Sequence, residues 1–255
     1  MARVLVTGST TGLGLAAAQT LLADGHNVIF HARNLERAAD LGDLARKPTG
    51  VVIGDLASHS ETRHVAEQVN TLGPLDAVIH NAGVYAEPER TTTEDGHPRV
   101  LAVNVLAPYL LTALIRRPSR LIYVSSDMHV AGRATLDDID WTNRPWDGVQ
   151  AYSDSKLLVT VLAAAVARRW RDVCSNAIDP GWVKTRMGGP SAPDNLTLGH
   201  QTQVWLATSD DQAAAVSGKY WYHQHPSDPA PAVSDLTFQD ALLRELASIT
   251  SEPLP

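Results

Sequence analysis

The chain has 255 residues, room for one large α/β domain, and 44% of them are apolar, enough for a substantial core. Its 21 basic side chains against 28 acidic ones leave a net charge of −7 with no basic run, which argues against nucleic acid or an anionic membrane surface as the main partner. The lone Cys174 excludes an intramolecular disulfide and a cysteine-based metal cluster. No apolar run reaches the ~20 residues of a membrane span, and no cleavage-site pattern precedes the first motif. The expectation is a cytoplasmic chain that holds no metal.

Arg3 to Val6 is a short apolar strand that runs into Thr7-Gly8-Ser9-Thr10-Thr11-Gly12-Leu13-Gly14. Beyond it, Leu15, Ala18, Leu21 and Leu22 recur at helical spacing as far as Asp24-Gly25. Strand, glycine loop and helix in that order is the setting of a phosphate-binding turn. Gly8 permits the tight turn, Gly12 lets backbone approach a phosphate, and Gly14 lets the helix pack on the strand. The helix N-terminus offers free N–H groups and a positive dipole end. A purely structural turn is the competing reading.

The second strand is Asn27 to His31, and Arg33 follows it with no carboxylate before Glu36. An acidic residue here suits the ribose 2′-hydroxyl of NAD, whereas Arg33 suits a 2′-phosphate, so NADP is expected in preference to NAD. Alternatively, Arg33 caps the next helix. Val51 to Ile53 is a third strand, followed by Gly54-Asp55-Leu56. Asp55 is placed either to accept from an adenine amino group or to cap the helix from Ser60, for which Ser58 is better suited. A fourth strand, Leu75 to Ile79, ends in His80-Asn81-Ala82-Gly83, where small residues let a ligand lie close over the sheet edge. Strands alternating with helices predict a doubly wound sheet.

Val100 to Ile115 is apolar at helical spacing around Asn104, which must find partners: backbone groups across a kink at Pro108, or a water behind a catalytic lysine. That helix stops at Arg116-Arg117-Pro118. The next strand, Arg120 to Val124, ends in Ser125-Ser126, hydroxyls able to bond a substrate carbonyl or to serve as caps. Residues 127–150 read as a pocket-walling excursion with Met128, His129, Trp141, Trp146 and the acidic trio Asp137, Asp138 and Asp140; a loop histidine such as His129 is more often structural than catalytic.

Ala151 to about Trp170 reads as an amphipathic helix on which Tyr152 and Lys156 share a face. An ammonium one turn away favours the phenolate, so the pair makes a proton-transfer unit. Cys174 to Ile178 is a sixth strand, closed by Asp179-Pro180-Gly181-Trp182-Val183-Lys184-Thr185. Residues 187–200 look like a lid rich in Gly, Pro, Ser and Asn; a helix begins between Thr202 and Leu206; Gly218 to His223 is the final strand; and a terminal helix lies around Phe238 to Ile249. The hydrophobic and aromatic residues Tyr85, Met128, Trp146, Trp182 and Met187 suggest a ketone or alcohol substrate with apolar bulk.

These motifs together resemble the short-chain dehydrogenase/reductase family, and the resemblance covers most of the chain in order. The family's Thr-Gly-x-x-x-Gly-x-Gly is Thr7, Gly8, Gly12 and Gly14. Its Asn-Ala-Gly is Asn81, Ala82 and Gly83, its mid-helix asparagine is Asn104, and its Tyr-x-x-x-Lys is Tyr152 and Lys156. Its Pro-Gly-x-x-x-Thr is Pro180, Gly181 and Thr185. The family's serine matches Ser126 in preference to Ser125, Asp55-Leu56 matches its adenine-pocket pair, and the long interval from serine to tyrosine is similar to the retinol-dehydrogenase-like branch.

The resemblance implies a single-domain Rossmann-type α/β fold with residues 127–150 and 187–200 as substrate-pocket loops. It implies NADP(H)-dependent reduction of a ketone or aldehyde, or the reverse, with Tyr152 as acid/base and Lys156 lowering its pKa. Ser126 would polarise the carbonyl and Asn104 would hold a water. The cofactor would lie on Gly8 to Gly14 (Ser9, Thr10, Thr11 and Leu13 included), Arg33, Asp55, Leu56, Asn81 to Gly83, Tyr152, Lys156, Pro180, Gly181, Val183 and Thr185. The short Asn104 helix leaves both a monomer and a homo-oligomer open. Rival readings are an enoyl reductase or epimerase on the same fold, and a catalytically idle NADP-binding sensor.

Overall fold

The computed structural model describes residues 1–46 and 50–255. Seven parallel strands form the sheet: β1 (Arg3–Val6), β2 (Asn27–Ala32), β3 (Gly50–Ile53), β4 (Ala77–His80), β5 (Arg120–Val124), β6 (Cys174–Asp179) and β7 (Tyr220–Tyr222). The order is β3-β2-β1-β4-β5-β6-β7, and an eighth strand, β8 (His225–Ser227), adds antiparallel at the β7 edge. Strands β1, β2, β4, β5 and β6 are buried nearly end to end, because helices cover both faces of the sheet. Parallel pairing of β1 with both β2 and β4 makes β1 the point where the winding reverses, so the loops after β1, β2 and β4 open on one edge.

One face of the sheet carries α1 (Gly12–Ala23) and α7 (Leu196–Thr208), packed over Val4, Val6, Phe30, Ile79, Ile122 and Trp221. The other carries α3 (His59–Leu72), α5 (Ala107–Leu114), α6 (Gly148–Arg169) and α8 (Leu236–Thr250). Short side-chain caps set the helix starts. Asn34 begins α2 (Leu35–Ala39) and accepts from the Arg37 amide, while Ser58 caps α3. Asp147, Asn195 and Asp235 do the same for α6, α7 and α8.

Those caps correct several sequence-based expectations. Asp147 starts α6 at Gly148, so the excursion closes three residues before 150, and its first residues wind into a 3₁₀ turn, Asp127–Ala131. Asn195 starts α7 at Leu196, so residues 196–200 of the expected lid are helical. Strand β7 is not the last: His223 and Gln224, both at positive φ (45° and 64°), turn the chain back into β8. Nor is α6 amphipathic. Every residue from Ala151 to Val166 except Ala164 is buried, because the sheet, the Asp127–Ala131 turn, the Ala102–Leu106 turn and α8 surround it.

The Asn104 helix is built in three pieces, α4 (Arg99–Leu101), a π-helical turn (Ala102–Leu106) and α5. Pro108 has no N–H to return to the Asn104 carbonyl four residues earlier, and the wider turn absorbs that break. The last residues lie against α5, the end of α6 and α3. The Tyr109 hydroxyl donates to the Glu252 carbonyl at 2.7 Å, the Trp170 indole donates to the Pro255 carbonyl at 2.7 Å, and Arg63 pairs with the Glu252 carboxylate.

Candidate active site

The turn after β1 is held from behind. The Thr7 hydroxyl accepts from the amides of Asn81 (2.9 Å) and Ala82 (3.0 Å), and the Asn81 side-chain amide donates to the Thr7 carbonyl at 2.9 Å. Asn81 is thus committed to the turn itself. Gly8 sits at φ +62°, where a side chain is strained, and a Cβ on it would lie 2.9 Å from the Ala82 Cα. A Cβ on Gly14 would run into the Asn81 amide and the Gly8 carbonyl, so α1 reaches the sheet only because that position is bare. Thr11, the N-cap of α1, makes no side-chain cap, and among the described residues the amides of Thr10, Thr11, Gly12 and Leu13 make no hydrogen bond. Four unspent donors on one turn form a cradle for an anion.

Around that turn the other predicted residues converge. Arg33, at the end of β2, is exposed and has no partner among the described residues; Asn34, not Arg33, caps α2. Asp55 spends one carboxylate oxygen on the Ala57 amide at 2.9 Å, and Leu56 beside it is buried. Thr185, in the turn after Pro180-Gly181, stands 3.6 Å from where a Gly12 Cβ would be, so the loops after β1 and β6 meet. Val183 is buried and bridges to Asp194. A Cβ on Gly83 would stand 3.6 Å from the Lys156 Nζ; its absence leaves the space beside that amine open. Free turn amides, an unpaired arginine at the β2 end and a bare Gly83 beside the Lys156 amine suit a dinucleotide.

At the β5 end the two serines separate. The Ser125 hydroxyl is buried against the Lys156 carbonyl (3.1 Å) and the Thr160 hydroxyl (2.7 Å). The Ser126 hydroxyl donates to the Asp127 carboxylate at 3.1 Å and accepts from the Met128 amide at 3.2 Å, and it lies near enough to the Tyr152 hydroxyl to favour the phenolate. Burial outweighs it and pushes the Tyr152 pKa up, helped by Tyr85, Asp179 and Asp127. Tyr85 packs its ring edge-on against Tyr152 at 4.8 Å.

Lys156 is expected to lower the Tyr152 pKa, and in this structure the larger influence is burial, which raises it. Its Nζ donates to the Val124 carbonyl at 2.9 Å and stands 5.5 Å from the Tyr152 ring centre. Burial brings the Lys156 pKa down to about 8, opposed by Asp179. Asn104 is satisfied internally. Its Oδ1 accepts from the Val84 amide at 2.9 Å, and its Nδ2 donates to the Val84 carbonyl and the Ser155 hydroxyl, both at 3.0 Å.

The 127–147 excursion is tied down. His129 is buried, with Nδ1 on the Ser126 carbonyl (2.7 Å) and Nε2 accepting from the Ala230 amide (3.0 Å), which makes it structural. The acidic trio does not act as one patch: Asp138 gathers the amides of Thr142 and Asn143 and pairs with Arg144, while Asp140 pairs with His97. Trp146 packs with Trp141 and donates to the Glu87 carbonyl at 2.9 Å; Trp182 and Met187 are exposed.

Two further residues carry a role that the sequence reading did not give them. Asp179 is buried, accepts from the Gly181 amide at 2.8 Å, and is pushed up in pKa by desolvation. His31 bonds to Gly8 and Gly54 from β2. The available signal was a polar residue ending an apolar strand on the ligand edge.

A model of the family described as short chain dehydrogenase matches residues 2–196. The chain is 39% identical over 260 residues to the short-chain dehydrogenase chyC of Penicillium rubens, covering all of both chains. It is 32% identical to human retinol dehydrogenase 13 over 291 residues, covering 99% of this chain and 88% of that one. Among solved structures, it is similar to NADPH-bound carbonyl reductase from chicken fatty liver, with a TM-score of 0.65, 23% identity, and coverage of 88% and 97%.

Proposed function

The chain belongs to the short-chain dehydrogenase family of oxidoreductases, in its retinol-dehydrogenase-like branch, and from that premise we propose that it reduces a ketone or aldehyde to an alcohol with NADPH. The observation that carries this reading is the nearness of Ser126 to the Tyr152 hydroxyl, one helical turn from Lys156. The nicotinamide, when bound, supplies the hydride. Gly8 to Gly14, Arg33, Asp55, Asn81 to Gly83, Lys156 and Pro180 to Thr185 would hold the dinucleotide, with Arg33 on a 2′-phosphate.

Ser126 donates to the substrate oxygen and fixes its position. Tyr152 gives that oxygen its proton, and burial keeps the hydroxyl protonated, which is the state a donor needs. Lys156 brings positive charge beside Tyr152 and holds the nicotinamide ribose. Asn104, whose carbonyl lacks its α-helical donor because of Pro108, holds the water behind Lys156 from which the proton is restored. Tyr85, Met128, Trp146, Trp182 and Met187, on loops 127–147 and 187–195 and beside them, take the apolar part of the substrate. NADP-bound relatives of the same fold support the cofactor assignment.

The test is NADPH consumption against a panel of ketones, aldehydes and quinones, with NADH in parallel and the products identified. Turnover with NADPH to an alcohol is expected. A product reduced at a carbon–carbon double bond, or tight NADPH binding without turnover across the panel, would overturn the assignment.

A further inference from the structure

We propose that His31 is a positioning residue for the dinucleotide, a neutral brace that fixes the Gly8 turn against the Gly54–Asp55 turn; this rests on the nucleotide-binding reading above. His31 is the penultimate residue of β2 and only 3% exposed. Its Nδ1 accepts from the Gly8 amide at 2.9 Å, and its Nε2 bonds the Gly54 carbonyl at 2.9 Å. Its own amide donates to the Ser9 hydroxyl at 3.0 Å, and the Ser9 amide donates back to the His31 carbonyl at 3.2 Å. One residue thereby holds the floor of the glycine turn on one side and the adenine-side turn on the other.

The partners dictate the tautomer. A backbone amide can only donate, so Nδ1 carries no proton; a carbonyl can only accept, so Nε2 carries one. A second proton would set two donors against each other at Gly8. Burial opposes that proton as well and lowers the His31 pKa to about 4, while the Gly54 carbonyl and Asp55, the charged group that faces the ring, pull the other way.

The arrangement has a directional consequence. With the Gly8 amide turned inward onto His31, the unspent amides of the turn are those from Thr10 to Leu13. Without the ring acceptor, the Gly8 amide would be an orphaned donor, and the turn would twist to find it a partner. Arg33 follows two residues later, so the brace also sets the strand end that carries it.

Two amides separate this role from plain core packing. In His31→Asn the side-chain oxygen lies near the position of Nδ1 and accepts from Gly8. In His31→Gln the amide nitrogen lies near Nε2 and donates to Gly54 but leaves Gly8 without an acceptor. NADPH affinity is measured by cofactor fluorescence for the wild type, His31→Asn, His31→Gln and His31→Ala, with urea midpoints alongside. The expected result is an Asn variant within about threefold of wild type, and Gln and Ala variants weaker by on the order of tenfold. Equal affinity for Asn and Gln, or affinities that follow the urea midpoints across the set, would overturn the proposal. Should the variants not fold, the nitrogen chemical shifts of the wild-type ring decide: the neutral Nε2–H form from about pH 5 to pH 8 is expected, and an Nδ1–H or charged ring overturns it. A wild type that binds neither NADPH nor NADH would overturn the nucleotide-binding reading itself, and the brace with it.

Discussion

Along the ligand edge of the sheet, the β1–β3 end and the β5–β6 end are made of different material. At the first, the donors are main-chain amides from Thr10 to Leu13, and Arg33 stands in water. At the second, the functional atoms are side-chain hydroxyls, an ammonium and a carboxylate, with Tyr152, Lys156 and Asp179 all buried. Backbone donors need only the right turn, so that end is specified by missing side chains. Side-chain acids and bases must be taken out of water before they change character, so that end needs a helix buried almost all round.

Breaking the buried end should have the largest effect. Tyr152→Phe is expected to lower kcat by roughly 10²- to 10⁴-fold while leaving the Kd for NADPH near the wild-type value; turnover close to wild type would remove Tyr152 from the mechanism. Acid sharpens the contrast next. His31 and His80 are buried and neutral, with pKa values lowered to about 4 and about 3 from the ordinary 6.5. The unfolded chain takes up those protons first, so their contribution is whole above pH 6.5 and is lost as pH falls toward 4, at about 1.4 kcal/mol per pH unit for each ring. Tm measured against pH should fall across that window, and His80→Gln should flatten the slope.

The exposed end should respond selectively and less. Arg33→Asp is expected to weaken NADPH by roughly 10- to 100-fold and leave NADH nearly untouched; equal losses for the two would mean that Arg33 recognises no 2′-phosphate. The smallest effect belongs to Ser125→Ala. It removes bonds to the Lys156 carbonyl and Thr160 and should cost about 1 kcal/mol of stability in urea, with kcat unchanged. The same change at Ser126 should act on kcat instead.

What could be read ahead of the structure follows the same division. The glycine turn, the strands around it and the Tyr152–Lys156 helix are local patterns, and each forms within a residue or a few of where the spacing put it. The β7–β8 hairpin escaped because His223 and Gln224 take left-handed conformations without the Asn-Gly signature such turns usually carry. The early start of α7 hung on one Asn195 cap inside a Gly- and Pro-rich stretch. The displaced pKa values of Tyr152, Lys156 and Asp179 depend on what packs over them, and no spacing within one helix or strand encodes that. His31 was hidden for the same reason, since its partners lie 23 residues away in both directions.

The π-helical turn at Ala102–Leu106 makes this stretch sensitive to counting rather than to chemistry. Each residue advances a helix by about 100°. Removing one would let the turn relax to α geometry and swing Asn104 away from Val84 and Ser155, while every apolar residue beyond it kept its place in the core. Exchanging one aliphatic side chain for another here should be tolerated; a single-codon deletion or insertion in frame should not.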